Sequence, residues 1–194
     1  MVVWSVLVTI ACPTLSLVQL LCRMQPFVMA YTDAALPPDG QGNTSRVAGL
    51  GVVLDLGAST HSCCLEIFAE TTVESMITGE LAARLVAAKI ADALHIQPFV
   101  LASDCLLAVQ HLHKGSWLAP WRLQPWISQF QLLKSAHIFQ VIKISRQNDA
   151  AHCLAVQAKS VSHHSSCSFF CSRNDHVQIY AVLSALQSVP WTSS

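Results

Sequence analysis

Residues 73–104, VESMITGELAARLVAAKIADALHIQPFVLASD, change their hydrophobic period partway, and that change decides the fold. The segment 73–94 is rich in Ala, Leu, Glu, Lys and Arg, and its apolar residues Met76, Leu81, Leu85, Ala88 and Ala91 recur at helical spacing. A helix is expected there, with Gly79 as an alternative starting point. Residues 98–103 (PFVLAS) then read as a short buried strand running into Asp104. A long helix leading directly into an apolar strand is the alternation that builds an α/β sheet.

Upstream the period is that of strands. Residues 27–33 (FVMAYTD) form an apolar, β-branched run, and 34–46, rich in Pro, Gly, Asn and Asp, read as a loop. Residues 47–56 (VAGLGVVLDL) are a second strand, in which Gly49 and Gly51 point to a bulge or a close backbone approach. Residues 62–70 (SCCLEIFAE) make a third. Three strands with short connections predict an antiparallel meander. Downstream, 104–113 and 122–136 read as helices, 137–145 as a fifth strand and 148–159 as an amphipathic helix. The expected fold is α/β: a mixed five-stranded sheet, antiparallel meander then parallel strands, with helices on both faces. The chain divides into an apolar extension (1–25), this domain (26–160) and a tail (161–194), with a polar connector at 161–176 and a possible short helix at 177–189.

The 194 residues suit one domain, and a composition 53% hydrophobic and 11% charged supports a sizeable core and excludes general disorder. Eleven basic and eleven acidic residues cancel, so the whole chain exerts no strong pull on a polyanion. A nucleic-acid role must then rest on a site and a local basic patch. Of the cysteines at 12, 22, 63, 64, 105, 153, 167 and 171, Cys63, Cys64, Cys105 and Cys153 lie in apolar runs, where a thiol behaves as a small hydrophobe. Reduced thiols in an intracellular protein, nuclear or cytoplasmic, are the favoured reading. His163, His164, Cys167 and Cys171 match no standard zinc spacing. Residues 1–22 carry no charge: they are long enough to span a membrane, lack the positive start of a signal peptide, and equally suit packing on the domain. Membrane contact turns on that segment. Without a Gly-rich phosphate loop, no small-molecule cofactor is expected. Oligomeric state leaves no trace in the sequence.

Three acids have unusual neighbours. Asp33 and Asp104 each end an apolar strand, and Glu80 lies in the first turns of the long helix. Ligand sites in open α/β sheets lie beyond the carboxyl ends of strands, where strand order reverses. Convergent carboxylates there offer hard oxygen donors suited to Mg²⁺ or Mn²⁺. Each acid also has an ordinary reading: Asp104 as the cap of the helix that follows it, Glu80 as a first-turn acid facing the helix dipole.

The motifs Tyr31-Thr32-Asp33-Ala34-Ala35, Ala48-Gly49-Leu50-Gly51-Val52-Val53, Gly79-Glu80-Leu81-Ala82-Ala83, Ala102-Ser103-Asp104-Cys105, and Arg146-Gln147-Asn148 followed by Ala151-His152-Cys153-Leu154-Ala155 occur in this order. Together they resemble the type 1 ribonuclease H superfamily, most closely the plant reverse-transcriptase-like domains derived from retrotransposons, over about residues 27–160. The resemblance implies that Asp33, Glu80 and Asp104 bind two Mg²⁺ ions. It also implies hydrolysis of RNA in an RNA·DNA hybrid, leaving 5′-phosphate and 3′-hydroxyl ends. The family's fourth ligand, usually Asp, falls here on His152, four residues after Asn148. Imidazole is a softer, weaker ligand for Mg²⁺, which puts the second metal in doubt; Asp149 is a candidate to share the role. The family's flexible-loop His has no counterpart. Lys114, Arg122, Lys143, Arg146 and Asn148 are candidate contacts to nucleic acid. Trp117, Trp121 and Trp126 read first as core residues and second as a binding surface. The alternative to an enzyme is a catalytically silent binding module that keeps the fold.

Overall fold

The computed structural model describes residues 6–11, 28–36, 46–55, 64–96, 99–136, 139–145 and 149–158. Its strands are β1 (Val6–Ala11), β2 (Val28–Ala35), β3 (Arg46–Asp55), β4 (Cys64–Val73), β5 (Phe99–Ser103) and β6 (Phe139–Lys143). Its helices are α1 (Met76–Ala93), α2 (Leu106–Lys114), α3 (Gln124–Ala136) and α4 (Asp149–Ala158).

One sheet holds all six strands in the order β1-β4-β3-β2-β5-β6. β2, β3 and β4 form the expected antiparallel meander, and β2, β5 and β6 run parallel. The sixth strand is the difference. Residues 6–11, within the apolar extension, pair antiparallel with Cys64–Ala69 of β4 and widen the sheet at that edge. Among the described residues no helix is long and apolar enough to cross a membrane. The expected helix at 177–189, the His/Cys cluster at 163–171 and most of 1–22 lie outside the described residues.

Strand periodicity sorts side chains onto two faces. Val28, Ala30 and Ala34 of β2 and Ala48, Leu50, Val52 and Leu54 of β3 face the main core with α1. That helix is buried almost all round, from Thr78 to Ala88, because Ile127 and Phe130 of α3 cover its other side. Its many alanines let backbones approach on both sides. Ser75 caps it, its hydroxyl accepting from the Thr78 amide at 3.3 Å, so the helix starts three residues before Gly79. Met76, expected on the apolar face, is exposed.

On the opposite face Tyr31, Val53 and Phe68 pack against Ala151 and Leu154 of α4. The contact turns on Gly51. A Cβ there would run into the carbonyl of Ala151 and lie 2.7 Å from the amide nitrogen of Ala155. Gly51 is thus the hollow in which α4 sits, which is the close approach its sequence position suggested. Gly51→Ala is expected to lift α4 and lower stability by about 3 kcal/mol, the upper range for overpacking. Urea denaturation would show it, and an unchanged midpoint would disprove the seat.

Candidate metal centre

β2 and β5 pair in parallel as far as Tyr31 and Ala102, and Thr32 Oγ1 donates across to the Ala102 carbonyl at 3.5 Å. β3, β4 and β1 lie on one side of β2, while β5 and β6 lie on the other. The carboxyl ends of β2 and β5 therefore flank the switch point where an α/β sheet opens a crevice. Asp33 sits on β2 opposite Gly51, and Asp104 directly follows β5. Glu80 reaches the same place from α1. One carboxylate oxygen from each of the three lies within 4.8 Å of the others. The cleft they face, about 760 Å³, also takes in Lys143, Ser145 and His152.

The ordinary readings of these acids do not hold. The N-cap of α2 is Cys105, whose amide is held by Ser103 Oγ at 3.1 Å, so Asp104 stands before the cap. Glu80 is the fifth residue of α1, beyond the first turn, and is buried.

Glu80 is held by a residue that sequence reasoning passed over. Arg84, one turn on and fully buried, donates to Glu80 Oε2 at 3.1 Å and to the Glu80 carbonyl. Its other terminal nitrogen donates to Ser103 Oγ. One guanidinium thus ties the glutamate of α1 to the end of β5, next to Asp104. The available signal was an arginine four residues after a glutamate, in a helix whose other charged residues, Lys89 and Asp92, fall only in its last turns. Once α3 covers that face, the buried arginine has its partners inside.

Burial pushes Glu80 up to about 8; Arg84 opposes the shift, and the neighbouring Asp33 and Asp104 add to it. Three carboxylates with one buried guanidinium are short of positive charge, and hard oxygen donors of this kind suit a divalent cation. The residues present fit such an ion.

The other predicted site residues are distributed unevenly. His152 lies on α4 with its side chain 65% exposed, and its Nδ1–H donates to Asp33 Oδ2 at 2.7 Å. Lys143 lines the cleft from the end of β6. Lys114, at the end of α2, is exposed and lies outside the cleft lining. Arg146, Asn148 and the side chain of Asp149 lie outside the described residues. Arg122 pairs with Glu74 at 3.8 Å and lies 5.2 Å from the Trp121 ring centre. Trp126 is core, but Trp117 and Trp121 are 78% and 72% exposed, against the expectation of packing. They belong to the short segment between α2 and α3, which Gly115 opens at φ +90°. Among the described residues Cys105 is half-buried, and Cys153 is exposed, against its reading as a buried small hydrophobe.

No family model and no curated protein sequence matches the chain. Solved structures do. Ribonuclease H1 of Halobacterium salinarum superposes with a TM-score of 0.55 at 20% identity, over 69% of this chain and 98% of that one. The N-terminal ribonuclease H domain of a Mycobacterium tuberculosis protein gives 0.56 at 19%, over 70% and 95%. LC11 ribonuclease H1, isolated from compost and solved in complex with an RNA/DNA hybrid, gives 0.51 at 18%, over 70% and 99%. The fold is that of ribonuclease H, with one extra edge strand.

Two outcomes test the site's electrostatics. Arg84→Met strands Glu80 and Ser103 without their buried donor, and is expected to cost about 3 kcal/mol in urea denaturation, as for breaking a buried pair. Wild-type stability would show the guanidinium to be dispensable. The second outcome concerns pH. Glu80 keeps its proton to higher pH in the folded chain than in the unfolded one, where the value is 4.5. Its stabilising contribution is complete below about 4.5 and is lost as pH rises through about 8. With chelator present, the wild-type melting temperature should fall relative to that of Glu80→Gln between about pH 5 and 8. Parallel curves would exclude the shift.

Proposed function

We propose that the chain is a divalent-metal-dependent endonuclease that hydrolyses the RNA strand of RNA·DNA hybrids, with residues 26–160 as its catalytic domain. The observation that carries this reading is the convergence of Asp33, Glu80 and Asp104 within 4.8 Å at the switch point of a ribonuclease H fold. These three side chains would hold Mg²⁺ or Mn²⁺. Bound divalent ions supply a water activated at neutral pH and neutralise charge on the attacked phosphate. The chain's own residues do the rest. Arg84 fixes the Glu80 carboxylate, Lys143 offers a cation to a phosphate at the cleft mouth, and the Asp33–His152 pair can hold a proton beside the reacting groups.

A hybrid substrate is supported by the likeness to LC11 ribonuclease H1 in its RNA/DNA complex. Recognition would use phosphates and 2′-hydroxyls across the minor groove instead of base edges. Lys143, Lys114, Arg146 and Asn148 are the proposed backbone contacts. With zero formal net charge, affinity depends on those local contacts alone. Such a substrate fits an intracellular setting, nuclear or cytoplasmic.

One observation favours a second reading, a catalytically weak binding module: His152 already occupies Asp33 Oδ2 at 2.7 Å. Labelled-hybrid cleavage separates the two. Asp33→Asn and Asp104→Asn should each lower Mg²⁺- or Mn²⁺-dependent cleavage at least about a thousandfold, with the fold intact by circular dichroism. Cleavage that survives in both variants would sink the nuclease, and hybrid binding without cleavage in the wild type would establish the module.

A further inference from the structure

Resting on the proposed metal site, we infer that His152 makes it a mixed nitrogen–oxygen centre selecting a first-row transition ion, with Mn²⁺ as the probe, over Mg²⁺. Asp33, Glu80 and Asp104 alone form an all-oxygen set, which suits Mg²⁺ as well as Mn²⁺. The imidazole changes that balance. Its Nδ1 stands 2.7 Å from Asp33 Oδ2, close to the spacing of about 3 Å between adjacent ligands of an octahedral ion with bonds near 2.1 Å. Among the described residues, the donors within 4.8 Å of one another are the three carboxylates alone. An ion taking the place of the shared proton would therefore bind Asp33 and His152 where they stand and draw the exposed imidazole toward Glu80 and Asp104.

Three features keep the imidazole at that spot. Gly51 is the residue opposite Asp33 across the β2–β3 pair, and it is also the hollow that seats Ala151 and Ala155 of α4. Ala151 is fully buried, whereas His152 beside it faces the cleft. The helix is thus keyed to the strand at the level of the carboxylate. Mg²⁺ dehydrates reluctantly and prefers oxygen, so an imidazole gives it little; ions further along the transition series gain from nitrogen.

The test uses the full chain stripped with chelator, titrated with MnCl₂ and with MgCl₂ by calorimetry, alongside His152→Asp and His152→Ala. The wild type is expected to bind Mn²⁺ over Mg²⁺ by a ratio that falls about tenfold or more in His152→Asp. Pulsed electron paramagnetic resonance of the Mn²⁺-loaded wild type should show coupling to an imidazole nitrogen, which both variants lose. Mn²⁺ bound without nitrogen coupling, or an unchanged ratio, overturns the role of His152 while leaving the metal site standing. Failure of the wild type to bind either ion overturns the metal site and this inference together.

Discussion

Three carboxylates sharing a space 4.8 Å across need a counter-charge, and much of the structure around the cleft answers that need. At an effective dielectric of about 20, each ionised pair at that separation repels by roughly 3.5 kcal/mol. Three such pairs rival the whole stability of an ordinary domain. Arg84 supplies one positive charge from inside, at 3.1 Å from Glu80. The rest falls to a proton on Glu80 or to a cation from solvent. Burying Arg84 and Glu80 together is a poor way to gain stability, since an apolar pair of the same volume usually does as well. Its effect is geometric: the guanidinium fixes which way the Glu80 carboxylate points and ties it to Ser103, beside Asp104.

The second determinant is strand register. In β3 the residues Ala48, Leu50, Val52 and Leu54 face α1, while Gly51 and Val53 face α4. A slip of one residue would exchange these sets and put a branched side chain under α4, where even a Cβ collides. The register that pairs Gly51 with Asp33 therefore fixes the strand, the helix seat and the position of His152 in one step.

Most of this fold was legible because its elements carry strong periods. The meander, the long helix and the alternation after it all follow from residues 27–159, with boundaries shifted by a few residues. The sixth strand was not legible. An uncharged run such as 1–22 satisfies a membrane, a core or a sheet edge equally well, and only pairing with β4 distinguishes them. In the site, Asp33 and Asp104 stood out because an acid ending an apolar strand is conspicuous. Arg84 did not, since a Glu-to-Arg spacing of four is common on solvated helix faces and the sequence does not say that this face is covered by α3. Trp117 and Trp121 were misjudged for the converse reason. Size alone argues for burial, but in the segment between α2 and α3 it is Ala119 and Leu123 that enter the core, while the two tryptophans stay outside.

On the proposed reading, His152 stands where the resemblance implies a fourth carboxylate. A carboxylate at that position would add a fourth negative charge to the cluster, and with it the attraction to hold a second divalent ion. Imidazole adds none. Arg84 meanwhile cancels one of the three charges already present. A single divalent ion then brings the cluster to neutrality, and a second would leave it with an uncompensated double positive charge and no further carboxylate to receive the ion. The same substitution that softens the donor set thus removes the electrostatic reason for a second ion. Both effects follow from one side chain held by one glycine.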